Sequence, residues 1–167
     1  MWPVRLLLPL LLALPLASLA QGDAWPSRTI RIIVPTQPGA SPDILARTLA
    51  HHLGPRLGQQ IVVLNQPGGG SNIGHGAAAK AAPDGHTLLV YGNTFWLLPL
   101  MRASVSYDPV RDFQPVSLMA MTPSVLVIHP SMPVQSVSGL IALAKAKPGV
   151  LNYSSAAPGT TSQLGAE

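Results

Sequence analysis

Four short stretches hold most of the residues able to bind or react: 36–41, 68–72, 92–94 and 154–162. Each is rich in Gly, Pro, Ser, Thr or Asn, and none contains Arg or Lys. Thr36, Gln37, Pro38, Gly39, Ala40 and Ser41 make up the first. Such loops supply backbone N–H groups and hydroxyls, which grip an anion without a salt bridge. A hydrogen bond to a charged group contributes roughly 1.5–3 kcal/mol, and a helix dipole roughly 0.3–2 kcal/mol. A few such donors reach the ~8 kcal/mol of micromolar affinity. The same residue types also serve as plain turn formers, and composition alone leaves both readings open.

Catalytic signatures are sparse. The chain has no G-x-S-x-G elbow, H-E-x-x-H pair or G-x-x-x-x-G-K-[ST] loop. Residues 74–79 formally fit G-x-G-x-x-A, but they fall inside a predicted helix and no acid follows about 20 residues on; Gly74 and Gly76 are read as close-packing positions. Asp108 and Asp112 flank Pro109 in a connector and are read as turn formers. His51 and His52 are adjacent on a helix and do not face each other. His75, His86 and His129 are isolated, so neither a metal nor another cofactor is expected.

The elements that position these loops follow from pattern. TIRIIVP, with Ile30, Ile32, Ile33 and Val34, is a β-branched strand ending at Pro35. Ser41-Pro42 signals a helix start, with Ser41 able to cap. Leu45, Leu49, Leu53 and Leu57 form one buried stripe, and Pro55 is expected to kink or stop the helix. The loop at 36–41 therefore hangs at the carboxyl end of a strand and the positive end of a helix dipole, where open α/β sheets bind ligands. Further strands are expected at 60–64, 87–91, 116–120, 124–128 and 151–154. Helices are expected at 72–82 and 136–147, the latter capped by Ser136 with Leu140, Ile141 and Ala144 inward; residues 95–101 are read as a short apolar helix or coil, and another helix begins at Gln163. The order β-α-β-α-β predicts an α/β fold with a mostly parallel sheet flanked by helices.

Residues 1–20 carry Arg5, an apolar run and a small-x-small close at Ser18-Leu19-Ala20, the pattern of a cleaved secretory signal. The apolar run, broken by Pro9 and Pro15, is short for a bilayer span. The 167-residue chain has a formal charge of +4, without clustering, so nucleic acid is not an expected partner. There are no cysteines, so an exported domain is held by its core alone. A helix that only starts at Gln163 leads to the expectation of a fragment of a longer protein.

Six segments in order, TIRIIVPTQPGASPDILAR, LGQQIVVLNQPGGGSNIG, AAKAAPDGHTLL, YDPVRDFQPVSL, LIALAKAKPGVLNYSSAAPGTTSQLGAE and the exported start, resemble the Bug-type substrate-binding receptors of tripartite tricarboxylate transporters. The resemblance implies a periplasmic-binding-protein-like, type II, two-lobe receptor for a small carboxylate. It would be located in the periplasm, monomeric and without turnover, and would deliver its ligand to a membrane permease. It divides the chain into a signal peptide (1–20), a first lobe (21–120) and the incomplete start of a second lobe (121–167), since family members run to roughly twice this length. It places the ligand carboxylate between the loop at 36–41 and the later Ser/Gly/Thr loop carrying Ser155, Gly159, Thr160 and Thr161. Asn93 and Thr94 would face the same cleft, and Asp43 would orient the first loop. Three departures stand out: no aromatic near Thr36, Gly39-Ala40 in place of a glycine pair, and Gln163 in place of histidine. Alanine at 40 predicts an altered loop path if positive φ is needed there. The alternatives are an exported α/β hydrolase-like enzyme, with Ser155 or Thr160 as nucleophile, and a non-functional truncated receptor.

Overall fold

A computed structural model describes residues 24–155 and 159–167. The expected signal segment and residues 156–158 lie outside the described residues. Three parallel strands form one sheet: β1 (Ile30–Val34), β2 (Ile61–Asn65) and β3 (Thr87–Leu89), in the order β2-β1-β3. Ile32 of β1 stands opposite Val63 on one side and Leu88 on the other. Because the strands are parallel, their carboxyl ends and the loops that follow share one edge.

The β1 sequence is nearly continuous in apolar residues because a central parallel strand is covered on both faces. Ile32 and Val34 pack with Ala46 and Val90, joined by half-buried Leu49, Ile61, Val63 and Leu88. α1 (Ser41–Leu57) supplies Ala46 and Leu49. Its predicted leucine stripe is half-buried; the fully buried positions are Asp43 and Ala46. Pro55 does not stop this helix, which runs on to Leu57 and ends on Gly58 in the left-handed region. Ser41 is not the cap. Ala40 holds that position with no side-chain bond, and Ser41 and Pro42 open the helix.

After β2, a single 3-10 turn (Gly69–Ser71) leads into α2 (Asn72–Ala79), which ends three residues before its expected limit. Gly74 and Gly76 are packing positions, as their spacing suggested. A Cβ on Gly74 would lie 2.7 Å from the Gln66 carbonyl oxygen and from Pro35, and one on Gly76 would overlap Ser106. α3 (Thr94–Met101) buries Phe95 and Leu98 against Tyr107 and half-buried Phe113. Asp108 accepts from the backbone of Val110 and Arg111, and Asp112 from the backbone of Asp108, so the two acids build a turn.

Beyond residue 115 the sequence expectations diverge from the structure. Residues 116–120, 124–128 and 151–154 form no strand or helix among the described residues, and Val116, Met121, Val125 and Val127 are exposed. A strand needs a neighbour to satisfy its backbone, and hydrophobic pattern alone does not provide one. α4 (Val137–Ala146) is capped by Ser136 as expected, but Ile141 and Ala144 are exposed, and Leu140 and Leu143 are half-buried. α5 (Thr161–Leu164) begins two residues before the expected Gln163.

His75, on α2, is fully buried, and neither ring nitrogen has a hydrogen-bond partner. Its ring meets Phe95 edge-on at 5.2 Å and Tyr107 at 4.9 Å. Burial pushes its pKa down from 6.5 to about 4. The folded chain therefore keeps this imidazole neutral where the unfolded chain protonates it, so stability is full above pH 6.5 and falls as the pH drops toward 4. Urea denaturation at pH 7 and pH 5 should show a loss of about 2 kcal/mol attributable to this group. The variant His75→Leu should lose correspondingly less over the same interval.

Candidate functional site: the loops at the carboxyl edge of the sheet

The first loop is built by a tight turn. The Ala40 N–H donates to the Gln37 carbonyl at 3.3 Å, with Pro38 and Gly39 in the centre and Gly39 at φ +84°. Proline followed by a positive-φ glycine is the signature of a type II turn. Ala40 is extended at φ −70° and ψ 158°, so the positive φ falls on glycine and alanine at 40 imposes no strain. The altered path expected there is not needed.

One carboxylate holds this turn in place. Asp43 Oδ2 accepts the Gly39 N–H at 2.8 Å and the Arg47 Nε–H at 3.1 Å, while Oδ1 accepts from Asn65 Nδ2 at 2.9 Å. The side chain is 3% exposed. Hydrogen bonds from Arg47, the Gly39 backbone and Asn65 lower its pKa to about 2 despite burial. Asn65 also donates to the Thr36 carbonyl at 3.2 Å and accepts from Arg47 at 2.9 Å. Ser71 donates to the Pro35 carbonyl at 3.0 Å. Asp43 thus orients the loop, the role the resemblance implied. Arg47 and Asn65 were not singled out from sequence, although the Asp43–Arg47 spacing of four is a readable helical ion pair.

Thr36 Oγ1 is buried and has no hydrogen-bond partner. Gln37, Pro38, Gly39 and Ser41 are exposed, with Ala40 half-buried, so the turn presents its surface outward.

A second cluster forms after β3. Asn93 Nδ2 donates to the Gly159 carbonyl at 3.0 Å, across 66 residues of sequence. Gly159 is buried at φ +82°, and a Cβ there would lie 3.2 Å from Met101 Sδ and 3.8 Å from Thr94 Cγ2. The Gly159 N–H donates to Gln163 Oε1 at 2.8 Å. Thr160 caps α5 by accepting from the Gln163 N–H, and Thr161 opens that helix. The structure therefore joins Asn93, Thr94, Gly159, Thr160 and Thr161, and Gln163 shapes the loop from within. Ser155 is exposed and adjoins the residues outside the described set. The loop at 36–41 stands on the same sheet edge, with no hydrogen bond to Asn93 or Gly159 among the described residues.

Among the described residues no group of three or more His, Cys, Asp or Glu could hold a metal ion, and no helix is long and apolar enough to cross a membrane.

The sequence pattern of a family described as "Tripartite tricarboxylate transporter family receptor" matches residues 45–167. The chain belongs to this family. It is a family of solute-binding receptors, not of enzymes. Protein BugT of Bordetella pertussis is 41% identical over 152 residues, covering 89% of this chain and 46% of that relative. Among solved structures, R. palustris Rpa4515 with adipate is 35% identical with a TM-score of 0.74, over 85% of this chain and 48% of that one. MatC (Rpa3494) from Rhodopseudomonas palustris with bound malate is 31% identical with a TM-score of 0.59, over 72% and 42%. The chain spans about half the length of the relatives it matches, and its α/β fold with a parallel sheet is theirs.

Replacing Asp43 with alanine should free the Gly39 amide. Amide hydrogen exchange at Gly39 is expected to speed up at least about tenfold, with exchange in the β1 interior unchanged.

Proposed function

We propose that the chain is the binding part of a periplasmic receptor that captures a small carboxylate. On this reading residues 1–20 are removed on export. Residues 21–120 form a first lobe, and residues 121–167 open a second. The receptor acts as a monomer, performs no turnover and hands its ligand to the membrane permease of a tripartite transporter.

The ligand carboxylate sits at the sheet edge, against the turn at Thr36, Gln37, Pro38, Gly39, Ala40 and Ser41 and against Asn93, Thr94, Ser155, Gly159, Thr160 and Thr161. What supports this most is the bond from Asn93 to the Gly159 carbonyl, which ties the segment after β3 to the loop carrying Gly159 at 3.0 Å. Further support comes from two similar proteins whose structures contain adipate and malate. The buried, unpartnered Thr36 hydroxyl offers one more polar contact beside the turn. Backbone donors suit a carboxylate because each charge-assisted bond is stronger than a neutral one.

Calorimetric titration of the chain with adipate and malate tests the reading. Binding near the micromolar range is expected for at least one, weakened by about tenfold or more in Asn93→Ala. No binding across a broad panel of mono-, di- and tricarboxylates contradicts it.

A second reading rests on one observation. Val116, Leu118, Met121, Val125 and Val127 are all exposed along one stretch of chain, and large exposed apolar surfaces mark sites that another surface covers. On that reading the chain is a half-receptor that binds only when this stretch is covered. Strong fluorescence of a hydrophobic dye without a cooperative thermal melt favours the half-receptor; a cooperative melt with weak dye binding favours independent function.

A further inference from the structure

The face of the sheet beneath α2 carries an opening that the carboxylate reading does not use. It is a cavity of about 260 Å³ whose walls include Arg31, Ile33, Leu64, Gln66, Lys80 and Thr87. Arg31 interrupts the otherwise apolar β1 and is exposed, although β1 is the central strand. Parallel sheets normally cover both faces with apolar side chains, so an arginine here is an anomaly of composition as well as of place. Lys80, just past the end of α2, lines the same opening.

Among the described residues, neither the Arg31 guanidinium nor the Lys80 ammonium makes a hydrogen bond or an ion pair. The Asp84 carboxylate, near in sequence to both Lys80 and Thr87, is engaged by Arg28 and by the His86 backbone. Gln66 lines the same cavity; its Oε1 is an acceptor and offers nothing to an anion, but its Nε2 amide makes no hydrogen bond among the described residues. Two unpaired cations, a threonine and an amide with unused capacity thus border one cavity.

We propose that this cavity is a second anion site, which takes a small oxyanion of the phosphate class. The Arg31 fork suits two oxygens of one anion, and Lys80 adds a point charge. The Gln66 amide and the Thr87 hydroxyl each have a donor available for a remaining oxygen. The volume holds a tetrahedral anion with a few waters but not a large ligand. Arg31 pairs in register with Thr87 and Val62, toward the strand starts, while Leu64 and Gln66 lie at the end of β2; none of the lining residues belongs to the proposed carboxylate loops. The site therefore does not depend on the proposed carboxylate function.

Equilibrium dialysis of the chain against radiolabelled inorganic phosphate, at ionic strength held constant with potassium chloride, tests the proposal. Saturable uptake of one phosphate per chain is expected. Arg31→Gln and Lys80→Gln should each weaken it at least about tenfold, and Arg31→Lys should weaken it less than Arg31→Gln. Both side chains are exposed, so these changes leave the core intact, and an unchanged far-ultraviolet circular dichroism spectrum checks this. Uptake that never saturates overturns the site. So does saturable uptake that Arg31→Gln leaves unchanged, because it assigns the phosphate to other donors such as the loops at the strand ends.

Discussion

The arrangement of the site depends on one buried carboxylate. Asp43 sits in the first turn of α1, nearly out of contact with solvent, and joins three parts of the chain. Its bond to the Gly39 amide fixes the turn, its bond to Asn65 fixes the end of β2, and Arg47 balances its charge. A buried charge is costly unless its hydrogen-bonding capacity is filled, and here both oxygens are engaged. The low pKa follows from the same bonds. Because Arg47 is spent on Asp43 and Asn65, it is not left over to bind a ligand.

That division of labour explains why the loops hold no cations. Arginine near the turn neutralises a structural acid, and the outward surface is left to amides and hydroxyls. The second cluster is built similarly. Asn93 and Gln163 spend their amides on Gly159, so side-chain polarity positions backbone and the loop between them is drawn in against Thr94 and Met101. In both places a glycine takes a left-handed conformation, at 39 and at 159.

Much of the first hundred residues was legible in the sequence. Ile30, Ile32 and Val34 mark a covered central strand, Pro38-Gly39 marks the turn, and Gly74 and Gly76 mark close packing. These are local signals, and the structure needs nothing distant to satisfy them. Asn65 escaped notice because its role is a contact between elements: an asparagine at a strand end reads as a turn former until its partners, Thr36 and Asp43, are known. Ser41 was misread as a cap because the turn shifts the boundary by one residue and the acid two positions later takes over the loop. Residues 116–128 fail for the opposite reason. Their apolar, partly β-branched runs are a genuine strand signal, but a strand exists only with a partner beside it, and none flanks it among the described residues. The chain matches only about half the length of its relatives.

The central claim is that uncharged donors at the sheet edge hold the ligand's acid group. The most direct test follows backbone amide signals by nuclear magnetic resonance during titration with adipate. The account predicts the largest shift at Ser41, with smaller shifts at Gly39, Ala40 and Gly159, whose amides are already bonded within the protein, and at Asn93, Thr94 and Thr161. If those amides stay silent while arginine side-chain signals move on binding, the ligand is held by cations and the account is wrong.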